Sequence, residues 1–181
     1  MFYSLSTILI MIIPLLTMRM FSEERKDGTE QLLLTAPRSV TSIVLGKFFA
    51  ALIVFLIAVV LTLIYYVILM FLGSPNIKTS LVTMLGFILL GAALISFGMF
   101  ASSITENQVI AAIISIAFYV ITWMGTPYLG KGLEPLGLMN MFNRFGNGQI
   151  ACTEVVAFLS YTVLFVSVSY THLTLPTNRE V

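Results

Sequence analysis

The chain has 181 residues, of which 59% are hydrophobic and 9% charged, with a formal net charge of +1. Soluble domains carry about 25% charged residues, and a soluble protein of this size could not cover itself with so little polar surface. The composition excludes a soluble globular domain, a disordered chain and a nucleic-acid binder, and a single cysteine, Cys152, excludes an internal disulfide and a multi-cysteine metal site.

Apolar runs of about 18 residues read as membrane-spanning helices. Five appear, over residues 2–18, 43–72, 81–102, 109–128 and 155 to about 166. They predict an all-α polytopic bundle. The runs do not alternate as barrel strands do, and no repeat of solenoid length recurs.

The segment 19–47 holds Arg19, Arg25, Lys26, Arg38 and Lys47, five of the nine basic residues. The positive-inside rule therefore places 19–42 in the cytoplasm, 73–80 outside, 103–108 inside and 129–154 outside. With that orientation Met1 lies outside, so Met1 reads as an internal methionine or a late start, with an earlier helix missing before it.

Residues 19–47 are also the most informative stretch. Arg19, Glu23, Glu24, Arg25, Lys26 and Asp27 are expected to continue the first helix, with Arg19 and Glu23 at i,i+4 spacing. Gly28 should break it. Thr29 can cap a second short helix with Glu30 in its first turn, Gln31 to Leu34 give that helix an apolar side, and Pro37 discourages its continuation. Ser39 or Thr41 can cap the next span. A short leucine-bearing helix between two membrane helices suits either the lipid surface or a groove on a cytoplasmic partner.

Farther along, Ala92/Ser96 and Gly98/Ser102 are small-xxx-small pairs, most simply for packing within the chain. Tyr65, Tyr66, Tyr119, Trp123 and Tyr128 read as interfacial belts. Every span is free of central charge, with Glu106 and Glu154 at helix ends within reach of water. This argues against an ion-coupled carrier. Residues 136–145 suit a short helix dipping into the outer interface, or else an interfacial loop anchored by Phe142 and Phe145. The chain lacks a phosphate loop, a zincin motif and a nucleophile elbow, and no enzyme activity, cofactor or metal is expected of it.

The last span changes composition at Val168. Residues 168–181 resemble a translated sequencing adapter, which would leave 1–167 as the membrane domain, 168–181 as a non-native tail, and His172 without a role.

The stretch PLLTMRMFSEERKDGTEQLLLTAPRSVTSIVLGKF, 14–48, resembles the permease subunits of type-2 ABC exporters (the ABC-2 type), most nearly the gliding-motility-associated branch. SSITENQVIAA, 102–112, is a second, weaker likeness. The resemblance implies a six-helix permease of which these spans match helices two to six, in the cytoplasmic (inner) membrane of a prokaryote. It implies a second permease subunit, as homo- or heterodimer, and a separate ABC ATPase subunit that binds ATP and magnesium. It makes 28–37 the coupling helix that receives ATP-driven movement, with Glu23, Glu24 and Arg25 the charged stretch before it and Gly28, Thr29, Glu30, Leu33 and Pro37 within it. It also makes 129–151 the region of the re-entrant outer helices. An alternative is a non-transporting scaffold or anchor of a surface-motility or envelope complex.

Overall fold

A computed structural model describes residues 2–29, 39–73, 76–125, 137–150 and 152–174. Seven helices lie among them: α1 (Phe2–Thr17), α2 (Ser22–Lys26), α3 (Val40–Leu72), α4 (Ile77–Ile104), α5 (Gln108–Val120), α6 (Leu138–Gly146) and α7 (Cys152–Thr174). A π-helical turn, Ile121–Gly125, extends α5. Four helical stretches are long and apolar enough to cross a membrane, and α5 is a shorter apolar helix. The expected all-α bundle is what the chain forms.

α4 is the axis of the bundle. Its glycines let neighbours come close. A Cβ at Gly86 would lie 2.6 Å from Phe145, at Gly91 2.3 Å from Phe55, and at Gly98 2.1 Å from Thr17 Oγ1. α3, α1 and α6 therefore each seat a side chain against the α4 backbone. In lipid, where apolar burial gives helices no preference for one another, such close packing holds them together. Ser96, expected to be a packing residue, is fully buried, its hydroxyl donating to the Ala93 carbonyl at 2.7 Å. Across the bundle Phe97 stacks on Phe118 at 3.6 Å, with Phe165 edge-on to Phe97 at 4.9 Å.

Two helices start on asparagine caps. Asn76 accepts from the backbone N–H of Lys78 and Thr79, and Asn107 from that of Val109. Ser39 holds the N-cap position of α3, but its hydroxyl accepts from Thr41 instead of capping the backbone.

The contacts sort into two ends. At one, Ser102 near the end of α4 meets the chain between α1 and α2, and Lys47 of α3 joins them. At the other, the starts of α4 and α7 meet α6 through Thr83, Arg144 and Glu154. The connections thus alternate between ends as the loop charges predict.

Four expectations are corrected. The first helix does not run on through the charged residues: α1 stops at Thr17, and a turn over residues 18–21 separates it from α2. The last helix does not fade near Val166 but extends from Cys152 to Thr174. Its polar end stays helical because hydroxyls return hydrogen bonds to carbonyls one turn back, Ser169 to Phe165 at 2.8 Å and Thr171 to Val168 at 2.9 Å. Tyr119 is no interfacial residue: it is fully buried, and its hydroxyl donates to the Leu94 carbonyl at 2.5 Å. Glu154 is withdrawn from water, because α6 folds back and sets Arg144 against it at 2.7 Å.

Candidate functional site

The turn over residues 18–21 is held from two sides. Ser102 lies one face along α4 from Gly98, whose missing side chain admits Thr17. Its buried hydroxyl accepts the N–H of Phe21 at 3.0 Å and of Ser22 at 3.1 Å, and donates to the Met18 carbonyl at 3.0 Å. A serine in a helix commonly bonds back to its own preceding turn; Ser102 spends its hydroxyl on another element. It satisfies donors that the helix break at Thr17 leaves without carbonyl partners. The Ser22 hydroxyl donates to the same Met18 carbonyl.

Lys47, two turns into α3, closes the other side. Its ammonium donates to the Met20 carbonyl, pairs with Glu24 at 2.5 Å and sits 4.4 Å above the Phe21 ring. Partly exposed ion pairs contribute little alone, on the order of 1 kcal/mol or less. Here one cation combines a carbonyl, a carboxylate and an aromatic face, which fixes where α2 leaves α3.

α2 itself is one charged turn. Ser22 is buried, Glu24 and Arg25 are half-buried, and Glu23 and Lys26 are exposed. Gly28 ends it in the left-handed region at φ 68°, with the Asp27 N–H bonding the Glu23 carbonyl and the Gly28 N–H that of Arg25. The glycine is therefore the helix stop that its position suggests. The Thr29 hydroxyl turns back to the Glu24 carbonyl at 3.3 Å. Glu30, Leu33 and Pro37, and the short helix expected around them, lie outside the described residues. Beside α2, a polar recess of about 360 Å³ is lined by Lys26, Glu106, Asn107, Gln108 and Val109.

At the opposite end α6 is amphipathic: Leu138, Met139, Met141, Phe142 and Phe145 are buried. Phe142 and Phe145 are anchors as expected, but in protein rather than in lipid, against Phe87 of α4 and Phe158 of α7. Thr83 donates to the Phe145 carbonyl at 3.2 Å, and Gly148 takes φ 76° beside Thr79. The Thr153 hydroxyl shares Glu154 with Arg144.

Among the described residues no group of three His, Cys, Asp or Glu could hold a metal ion. An apolar groove of about 410 Å³ runs between α3 and α7, with Phe48, Phe49, Val163 and Tyr170 in its walls.

Sequence reasoning missed Ser102 and Lys47 as partners of the turn. The one signal was the likeness that runs through both 14–48 and 102–112.

Several apolar helices able to cross a bilayer, with charge gathered at their ends, define a multi-pass integral membrane protein. Over residues 3–175 the chain matches the model of the ABC-2 family transporter protein. It belongs to that family, and is a membrane permease component of an ABC transporter, not itself catalytic. No curated protein matches it.

Proposed function

We propose that this chain is the membrane subunit of an ATP-driven exporter of the gliding-motility-associated branch, lying in the cytoplasmic membrane of a prokaryote. It pairs with a second permease subunit. A separate ABC ATPase, binding ATP and magnesium, drives the pair between inward- and outward-open states. Residues 19–42 face the cytoplasm and 129–154 the outside. Movement enters through Glu23, Glu24 and Arg25 and the segment 28–37, with Gly28, Thr29, Glu30, Leu33 and Pro37 forming the coupling element.

The observation that carries this reading is the charged α2 braced on both sides, by Ser102 and by Lys47, at the end of the bundle where basic residues gather. A solvated loop has no need of two such attachments, whereas an element that receives force does. The absence of ionisable residues from the middle of the spans accords with energy arriving from outside the membrane.

The test is copurification from membranes with a phosphate-loop ATPase whose turnover depends on this chain. Leu33→Asp places a charge among the leucines of the proposed coupling segment. It should abolish both the association and the dependence. An intact complex with unchanged turnover would remove the assignment of 28–37, and a wild-type chain that recovers no ATPase would favour a scaffold.

A further inference from the structure

We infer that Ser102 is the positioning residue that carries movement of α2 into α4, so that the first cytoplasmic element and the axis of the bundle shift together. The inference rests on the exporter reading and deepens it by naming the connection inside the membrane subunit.

Three observations converge on Ser102. Its side chain is 1% exposed, and its hydroxyl makes three hydrogen bonds, all to the backbone over residues 18–22 and none to its own helix. Backbone contacts are indifferent to which side chains α2 carries, so the attachment is to the path of the chain itself. One helical turn earlier, Gly98 lets Thr17 sit against α4, and a Cβ there would lie 2.1 Å from Thr17 Oγ1. The end of α1 and the start of α2 are thus both seated on α4 through one stripe of small residues. Lys47, by contrast, reaches the turn with a flexible stem and through partly exposed groups. The tie to α3 at Lys47 is thus the longer and more exposed one, and the tie to α4 at Ser102 the shorter and buried one.

Ser103 supplies the control. It is as deeply buried, but its hydroxyl donates at 2.7 Å to the Phe100 carbonyl of its own helix. Removing either hydroxyl deletes the same atom from the same depth, yet only Ser102→Ala cuts the link to the turn.

The experiment uses the chain with its ATPase in lipid nanodiscs, with Cys152→Ser and an environment-sensitive fluorophore at Asp27→Cys beside α2 or at Ile104→Cys at the end of α4. In the otherwise unchanged protein and in Ser103→Ala, ATP should shift the signal at both positions. In Ser102→Ala the signal at position 27 should still shift, while that at 104 is lost. A retained response at 104 in Ser102→Ala overturns the inference, as does equal loss in Ser102→Ala and Ser103→Ala, which would make the effect one of packing alone. Failure of the unchanged protein to bind an ATPase, or to respond at position 27, overturns the exporter reading and this inference with it.

Discussion

At the scale of single residues, glycines and hydroxyls of α4 decide how closely the other helices approach. Gly98→Ala forces a methyl into Thr17 and sets it 3.1 Å from the Tyr119 hydroxyl, whereas nothing lies within 4 Å of a Cβ at Gly46. Overpacking costs about 1–3 kcal/mol, so Gly98→Ala should lower the thermal midpoint in mild detergent and Gly46→Ala should not. Equal midpoints would refute the close approach of α1 and α4. Tyr119→Phe removes the hydroxyl from the Leu94 carbonyl and should cost about 1 kcal/mol, read in the same assay. The ion pair at the far end is asymmetric: the Arg144 side chain is 63% exposed and that of Glu154 7%. Arg144→Gln strands a buried carboxylate, while Glu154→Gln leaves an arginine that water can reach. The arginine variant should be the less stable of the two, and the reverse order in thermal unfolding would refute that account.

At the scale of elements, α3 and α6 behave differently from the rest. α3 has 33 residues, about 50 Å at the rise of an α-helix, against a hydrocarbon core of about 30 Å. Its buried positions end at Val59, and Phe71 and Leu72 are more than three-quarters exposed. The helix must tilt or emerge. Leu72→Cys in a Cys152→Ser background should react with a water-borne maleimide while Ile57→Cys stays protected; protection of both would mean that α3 stays wholly within lipid. The long spans were legible because apolar runs of that length have few other readings. The break at Thr17 was not, because the Ser102 hydroxyl that satisfies the turn backbone lies 81 residues away from Phe21. The end of α7 was misjudged for a related reason: serine and threonine lower the apparent hydropathy of a helix while their hydroxyls stay satisfied within it. The burial of Glu154 depends on α6, and local sequence does not say where an amphipathic nine-residue helix will lie.

At the scale of the whole molecule, the alternation of loop charge finds its counterpart in the two ends of the bundle, which the contacts separate without reference to sidedness. Sidedness has its own test. Exposed Cys152 should react with a membrane-impermeant maleimide on intact cells, and Asp27→Cys in a Cys152→Ser background only after permeabilisation; the opposite pattern would invert the proposed orientation. Of the candidate site, the charges and the glycine stop were readable from their order along the chain. The bracing by Lys47 and Ser102 was not, since neither residue type at either position announces a partner.

The connection between α4 and α5 is short, with α5 starting on its own asparagine cap at Asn107. With the π-helical turn that extends it to Gly125, α5 sits at the short end of the roughly 17–25 residues that cross a bilayer. During synthesis so short a span gains from insertion as the second arm of a helical hairpin, beside the long apolar arm made just before it. The tight reversal is in this sense an instruction for biogenesis, and lengthening it with polar residues would first be felt at insertion, before any transport step exists to be impaired.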